Sequence, residues 1–173
     1  MKNNNKFINY IMGIIAICIL ILPTGLYASD KRDQSWWDFI KGEAPTDSLY
    51  LGMWSYHVSE KHPFRDYNYK NNMIGISYKS LTAGTFINSF HQRSYTVGIR
   101  RNLWENKTGD WNFQVGYNLG IIYGYKDGKG MFLSDYSPVI PVGLLYLDIT
   151  YHNAGVSLST VGDVFMVGFK VEF

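Results

Sequence analysis

Hydrophobic and polar residues alternate with a period of two along much of the chain. In its last segment, DVFMVGFKVEF, one face holds only Phe and Val, and the other holds Met, Gly, Lys and Glu. The first face is Phe165, Val167, Phe169, Val171 and Phe173, and the second is Met166, Gly168, Lys170 and Glu172. Successive side chains of a β-strand point to opposite faces, so this period predicts a strand with one apolar and one more polar side.

The segment from Trp111 to Gly124 repeats the alternation, and its apolar face carries an aromatic ring at each end, Trp111 and Tyr123. Similar segments predict eight strands, near residues 48–57, 71–79, 82–90, 94–104, 111–124, 138–147, 148–159 and 163–173. An even number of antiparallel strands allows closure into a barrel. The fold class that we predict is therefore all-β, an eight-stranded antiparallel β-barrel.

The N-terminus has the layout of a secretory signal peptide. Two lysines precede an apolar run from Ile11 to Leu22, and Pro23 and a small residue, Ala28, follow it. The run is shorter than the ~20 residues that a membrane-spanning helix needs. Cleavage after Ala28 would divide the chain into a signal peptide at 1–28, a periplasmic amphipathic segment at 29–47 and a barrel at 48–173.

Composition narrows the class of protein. The only cysteine, Cys18, lies in the expected signal peptide, so the mature chain could form neither a disulfide nor a thiolate metal site. Removing Lys2 and Lys6 lowers the 16 basic residues to 14, equal to the 14 acidic ones, and we expect no nucleic-acid partner. No HExxH, CxxC, P-loop or GxSxG motif occurs, and we expect no metal and no cofactor.

The secretory signal, the apolar strand faces and the terminal Phe173 together predict a transmembrane barrel in the bacterial outer membrane. Arg101 interrupts the apolar face of the fourth strand near its periplasmic end, where a long side chain could snorkel to the interface. Ahead of the first strand, SWWDFIKG at 35–42 is expected to form a short amphipathic helix at the membrane interface. The alternative is a plug of aromatic residues packed on the barrel wall.

Polar residues crowd one predicted outer turn, GTFINSFHQRSY. If both termini are periplasmic, His57 at the end of the first strand and Ser89 at the end of the third both lie at the outer rim. Asn88 and Ser89 are also common turn residues that satisfy local backbone groups. His91 and Arg93 are either plain loop residues or contacts for acidic lipid headgroups.

These residues resemble the outer-membrane lipid A palmitoyltransferase family (PagP-like). The resemblance covers the N-terminal amphipathic segment, the eight strands, a Trp and His near the end of the first strand (Trp54 and His57), and the element Phe86, Asn88, Ser89, Phe90 at the end of the third. The family has an acidic residue where this chain has Asn88, a longer first outer loop and a different Trp-to-His spacing.

The resemblance implies that a phospholipid acyl chain, palmitoyl-like, is transferred to lipid A or a related acceptor. His57 would be the general base, Ser89 the nucleophile or a positioning hydroxyl, and Asn88 a donor to the oxyanion or to His57. If an acid is essential, the outer loops could supply Glu60, Asp66 or Asp135. The partners would be phospholipid and lipopolysaccharide, bound by a monomer whose site faces the external leaflet.

Two prolines carry a further implication of the resemblance. Pro138 and Pro141 correspond in place to prolines at which an acyl chain enters the family's barrel sideways. Proline also removes a ladder hydrogen bond from a strand. Inward glycines, among them Gly116, Gly120 and Gly168, would leave space for one acyl chain whose length they measure, or simply relieve crowding.

Two other functions remain open from the sequence. The first is a non-catalytic small barrel for surface interaction or protection, which predicts a packed polar lumen. The second is an outer-membrane phospholipase or lipid A deacylase that uses Ser89, a histidine and water. An acyltransferase predicts instead an apolar upper cavity with His57 and Ser89 facing one another. His152 is expected inside a strand, as a hydrogen-bonded filler of the lumen.

Overall fold

The computed structural model describes residues 36–58, 67–125 and 137–173. A short helix, α1 (Trp36–Lys41), is followed by eight strands. They are β1 (Ser48–His57), β2 (Ile74–Tyr78), β3 (Leu81–Ile87), β4 (Arg93–Thr108), β5 (Trp111–Tyr123), β6 (Val139–Tyr151), β7 (Ala154–Val161) and β8 (Val164–Glu172). The expected signal peptide at 1–28 lies outside the described residues. No helix in the described part of the chain is both long enough and apolar enough to cross a membrane.

The eight strands form a closed barrel in sequence order, in which each strand pairs antiparallel with the next and β8 pairs with β1. The predicted eight-stranded antiparallel barrel is therefore confirmed. Tight two-residue turns join β2 to β3, β4 to β5 and β6 to β7 at the end that also carries Phe173, which we call the terminal end. His57 and the β3–β4 turn lie at the opposite end, which we call the loop end.

β2 begins at Ile74 and β3 ends at Ile87, each three residues inside its predicted bound, and the two largest differences lie at tight turns. β6 continues to Tyr151, and the turn to β7 is His152–Asn153, so the predicted boundary between 147 and 148 is wrong. His152 is exposed and has a positive φ of 53°, so it does not fill the lumen. β4 likewise continues to Thr108, since the turn is Gly109–Asp110. Alternation runs through both boundaries, and periodicity alone does not reveal where a tight turn reverses the chain.

Outward side chains of the barrel are mostly apolar, and most of the fully buried inward ones are polar or charged. Among the described residues, the buried hydrophobic ones are Tyr50, Phe86, Ile140 and Tyr146, whereas the buried polar and charged ones form a much larger set. Outward Leu81 and Leu145 are 65% and 61% exposed, while inward Gln114, Asp148 and Lys170 are fully buried. This distribution is the reverse of that in a water-soluble domain.

A buried network of charged and polar side chains crosses the lumen, and we call it the polar floor. The Arg100 guanidinium donates to both carboxylate oxygens of Asp148, at 2.8 and 2.9 Å. Lys170 Nζ lies 2.8 Å from Asp148 and 2.7 Å from Glu172, and it donates to Gln114 Oε1. The other members are Ser157, whose hydroxyl donates to Asp148, and Tyr50 and Tyr146, whose ring centroids lie 4.9 and 3.3 Å from the Arg100 guanidinium carbon. These residues come from β1, β4, β5, β6, β7 and β8, so the polar floor links side chains from six of the eight strands.

Inward residues on the loop-end side of the floor are mostly apolar, and we call this part the upper lumen. They include Met53, Ile122, Val142, Leu144, Val161, Val164 and Met166. All of these are half-buried, unlike the residues of the floor. Most of the inward side chains of the upper lumen are therefore apolar, and each of those named stays partly accessible to solvent.

Two pairs of glycines leave part of the upper lumen without inward side chains. Gly75 is paired with Gly84, and Gly98 is paired with Gly120, so two inward positions on each of these strand pairs carry no side chain. A Cβ on Gly98 would lie 2.5 Å from the Leu119 carbonyl oxygen and 2.9 Å from the Gly120 Cα. The close approach of the β4 and β5 backbones thus requires glycine at this position.

One strand edge at the loop end has no paired neighbour in the described chain. Every residue of β6 pairs with β5, from Tyr151 to Val139, but pairing with β7 begins only at Leu145. Val139–Leu144 therefore lacks a described partner on the β7 side. The Gly162 turn that ends β7 has open space where a Cβ would lie.

The Arg101 side chain is held by hydrogen bonds and does not extend freely along the outside of the barrel. Its Nε donates to the Lys41 carbonyl at 2.9 Å, and Nη1 donates to the Ser80 hydroxyl at 3.1 Å. The Tyr117 hydroxyl donates to the Ile40 carbonyl at 2.9 Å. Two outward side chains of β4 and β5 thus cap the C-terminal carbonyls of α1, which otherwise have no partner within the helix.

Candidate functional site

A β-bulge in β1 turns His57 toward the lumen. Ser48 and Tyr50 are buried inward residues, but the register with β8 shifts between Leu51 and Met53, at Gly52, which has a φ of 65°. The extra residue reverses the alternation, so odd-numbered residues face inward from Met53 onward. His57 pairs with inward Val164, at the loop end of β1.

Asn88 shapes the turn that carries Ser89. Its Oδ1 accepts hydrogen bonds from the backbone N–H groups of Phe90 and Gln92, at 2.9 and 3.0 Å. Its Nδ2 donates to Ser94 Oγ at 3.1 Å and to the Gly124 carbonyl at 3.3 Å. The side chain is fully buried, and its four hydrogen bonds fix the turn to itself and to Ser94 and Gly124.

Ser89 and His57 are brought together by this arrangement. Ser89 Oγ lies 3.2 Å from His57 Nε2, and the serine is 7% exposed. The pair joins residues that are far apart in sequence, one at the end of β1 and the other in the β3–β4 turn. A hydroxyl within hydrogen-bond distance of an imidazole nitrogen is the geometry of a nucleophile and its base.

Tyr67 covers the His57 ring. The two ring centroids are 4.6 Å apart and the planes differ by 12°, which is a stacked arrangement. Phe90 meets Tyr67 edge-on at 5.8 Å, and Tyr125 meets Phe90 at 6.2 Å. Burial raises the pKa of Tyr125 to about 12, so its phenol is neutral at physiological pH.

Backbone hydrogen bonds connect residues 68–71 to both halves of the site. The Asn68 N–H donates to the Ser89 carbonyl at 2.9 Å, and Asn68 Nδ2 reaches the carbonyls of Ile87 and Asn88. On the other side, the Ser55 N–H donates to the Tyr69 carbonyl at 3.0 Å. The chain after Tyr67 therefore bridges β1 and the Ser89 turn.

Of the remaining candidates named from the sequence, those that the structure describes lie outside the Ser89–His57 pair. Pro141 lies in β6 on the edge that lacks a β7 partner, and Pro138 directly precedes β6. His91 and Arg93 are exposed beside the Ser89 turn. Glu60 and Asp66, and also Asp135, lie outside the described residues. No group of three or more His, Cys, Asp or Glu side chains arranged for a metal ion occurs in the described ranges.

Sequence reasoning missed Tyr67 and the bulge. The bulge had a local signal, since a glycine inside a strand pattern indicates a bulge or a close backbone approach. Tyr67 had none, because it lies in an irregular segment between β1 and β2 where no period applies. Its stacking on His57 is a tertiary contact.

Comparison with known proteins assigns no family. No protein-family model matches the chain, and no curated protein matches it either. The resemblance to the lipid A palmitoyltransferases therefore stays a prediction carried by the residues quoted above.

Proposed function

We propose that this protein is an outer-membrane acyltransferase that moves a phospholipid acyl chain to lipid A or a related acceptor. The observation that carries the proposal is the 3.2 Å approach of Ser89 Oγ to His57 Nε2 at the loop end of a lumen whose inward side chains there are mainly apolar. A hydroxyl and a base at the mouth of an apolar space suit the ester of a lipid whose chain occupies that space.

The outer surface supports membrane insertion. A band of exposed Leu, Ile, Val and Phe surrounds the wall, and an isolated soluble barrel rarely exposes a continuous apolar surface of this kind. β5 carries exposed rings at both ends, Trp111 and Tyr123, over 13 residues. At ~3.3 Å per residue and a tilt of ~40°, this strand rises roughly 30 Å, close to the apolar thickness that such barrels match.

Helix α1 supports the same orientation. Trp37 is 68% exposed, and Phe39 and Ile40 are exposed beside it, at the terminal end of the barrel. Exposed tryptophan and aliphatic residues on a short helix are typical of a segment that lies in a membrane interface. In this orientation the terminal end is periplasmic, and His57 and Ser89 face the external leaflet.

The lumen supports binding of one acyl chain. The upper lumen offers methionine, valine, leucine and isoleucine side chains, and the polar floor closes it with fully buried Asp148 and Lys170. A hydrocarbon chain would extend down to the polar floor and no further. Its apolar end would have to separate buried ion pairs, and a buried charge without a partner is costly in free energy. The unpaired edge of β6, with Pro141, is the side of the wall through which the chain would pass.

The reaction is an ester exchange. The acceptor hydroxyl oxygen attacks the carbonyl carbon of the phospholipid ester, and His57 Nε2 takes the hydroxyl proton. The bond between that carbon and the glycerol oxygen then breaks, and His57 returns the proton to the leaving oxygen. The products are the acylated acceptor and a lysophospholipid, with no net gain or loss of protons.

Ser89 supports two routes for this exchange. In the first, Ser89 attacks in place of the acceptor: its Oγ gives its proton to His57 and bonds to the ester carbon, and the lysophospholipid oxygen leaves with that proton. The acceptor hydroxyl then gives its proton to His57 and displaces Ser89 Oγ from the acyl group, and Ser89 recovers the proton. In the second, Ser89 only orients His57 or the substrate by its hydrogen bond. Rapid quenching with the donor phospholipid separates the routes, because only the first adds an acyl mass to the Ser89 peptide.

The decisive test is a mass spectrum of lipid A and phospholipids from outer membranes that contain the protein. We expect one added acyl mass on lipid A with the wild type, and its loss in both His57→Ala and Ser89→Ala. His152→Ala is the matched control, since His152 is exposed at the terminal end and should leave the product unchanged. Folding of each variant is checked by heat-modifiable gel mobility.

Other outcomes would identify the competing functions. Free fatty acid, or lipid A that has lost an acyl mass, would indicate a phospholipase or a deacylase with water as acceptor. Unchanged lipids with a folded wild-type barrel would refute the proposal and favour a non-catalytic surface protein.

A further inference from the structure

The His57 imidazole has an edge contact and a face contact. Its edge presents Nε2 to Ser89 Oγ at 3.2 Å, and its face is covered by the Tyr67 ring at 4.6 Å with nearly parallel planes. The two contacts are mutually perpendicular, so together they restrict both the direction of Nε2 and the rotation of the ring. Neither contact uses Asn88.

Asn88 cannot act on an imidazolium from its position. Its Oδ1, the only atom that could accept a hydrogen bond from a protonated imidazole, already accepts two backbone N–H groups in the turn. As an amide it also carries no negative charge. Asn88 is therefore not the group that stabilises the charge when His57 takes a proton.

We propose that Tyr67 is the positioning residue of this site: its ring face holds the His57 imidazole toward Ser89 and stabilises the imidazolium that forms during acyl transfer. The inference rests on the proposed function. An aromatic face attracts a cation centred within about 6 Å of it, and the attraction is strongest where water is excluded. Tyr67 thus acts through His57 and does not touch the reacting ester.

Two contacts with the Ser89 turn hold Tyr67 and the residue after it in position. Phe90 packs edge-on against its ring at 5.8 Å, on the same turn that carries Ser89. The next residue, Asn68, donates its N–H to the Ser89 carbonyl at 2.9 Å. A movement of the Ser89 turn would therefore carry Tyr67 with it, and the serine, the imidazole and the phenol ring form one mechanical unit.

The test compares Tyr67→Leu, which keeps apolar bulk but removes the ring face, with Tyr67→Phe, which keeps the face and removes the hydroxyl. We expect Tyr67→Leu to lower the maximal acyl-transfer rate roughly tenfold with little change in KM, equivalent to about 1.4 kcal/mol. Tyr67→Phe should stay within about twofold of wild type. Tyr78→Leu is the matched control, since Tyr78 is 49% exposed at the terminal end of the barrel and should leave the rate unchanged.

A second measurement does not depend on turnover. In protein labelled at histidine and assigned with His57→Gln, the ring protons of His57 should lie under the Tyr67 ring current. Those signals should move downfield in Tyr67→Leu and stay near their wild-type positions in Tyr67→Phe. Unmoved signals in Tyr67→Leu would show that the rings do not stack and would overturn the inference.

The rate measurements can also overturn it, separately from the proposed function. Equal rates for Tyr67→Leu and Tyr67→Phe, whether both high or both low, would mean that the ring face has no part in catalysis. A folded wild type that transfers no acyl group would instead overturn the proposed function, and the role of Tyr67 with it. A loss in Tyr67→Leu that appears only in KM would assign Tyr67 to lipid binding and reject the positioning role.

Discussion

At the scale of single residues, Asn88 occupies the place where an acidic residue would be expected from the family resemblance, and its four hydrogen bonds explain why an amide suits this turn. Two are accepted by Oδ1 from backbone N–H groups, and two are donated by Nδ2 to Ser94 and Gly124. A carboxylate could accept the first two but could not donate the others. Asparagine is the side chain that matches both requirements.

Replacing Asn88 by Asp should therefore destabilise the protein without increasing acyl transfer. One carboxylate oxygen would face the Gly124 carbonyl oxygen where Nδ2 now donates at 3.3 Å, and a buried charge would have too few partners. We expect a loss of roughly 1–3 kcal/mol, the cost of leaving buried polar groups unsatisfied. Urea titration followed by gel mobility measures it, with Asn153→Asp in the exposed β6–β7 turn as control. A more active and equally stable Asn88→Asp protein would contradict this account.

Lys170 illustrates the opposite case, a charge that is buried with three partners. Its ammonium contacts Asp148, Glu172 and Gln114 at 2.7 to 2.8 Å, and the side chain is fully buried. Lys170→Met would leave Glu172 without this cation, and we expect a loss of about 3–5 kcal/mol in the free energy of unfolding.

The matched control for Lys170→Met is Lys107→Met. Lys107 also faces a carboxylate, that of Glu105 at 3.3 Å, but its side chain is 66% exposed. Exposed ion pairs contribute at most about 1 kcal/mol, so this variant should unfold almost like wild type. Similar losses in the two variants would mean that the polar floor is hydrated and not closed.

At the scale of elements, the unpaired edge of β6 predicts uneven backbone exchange. The N–H groups of Val139–Leu144 that point toward β7 have no described acceptor there, whereas those of Leu145–Tyr151 have paired strands on both sides. Hydrogen exchange should be fastest at the β7-facing amides of the first group, and slow along the rest of β6. Uniform protection along the whole strand would mean that the wall is closed at this point.

Periodicity was sufficient to predict eight strands and their outward faces, because side-chain alternation is a local property of each strand. It was insufficient for the tight turns at His152 and Gly109, where alternation continues into the turn. The loop-end positions of His57 and Ser89 followed from strand order. Their 3.2 Å approach did not, because it depends on the bulge at Gly52, on the Asn88 turn and on the tilt of the strands.

At the scale of the whole molecule, the polar floor predicts that the barrel does not conduct ions. Arg100, Asp148 and Lys170 bond to one another across the lumen, and each is buried. An eight-stranded barrel is narrow enough for such side chains to fill it. Purified protein in a planar lipid bilayer should show no stepwise conductance in concentrated potassium chloride. Regular conductance steps that disappear on heat denaturation would show that the floor opens.

The glycine pairs of the upper lumen have a consequence for how its capacity could change by mutation. On the β2–β5 side, Gly75 faces Gly84 and Gly98 faces Gly120, so this patch of four positions is bare backbone. No substitution can remove atoms from it, and at Gly98 even a methyl group would meet the neighbouring backbone. Variation in the capacity of the upper lumen therefore falls to inward positions that carry side chains, such as Met53, Leu144 and Met166. The glycine patch is a fixed surface, and the positions that carry side chains are the part that evolution or an engineer could adjust.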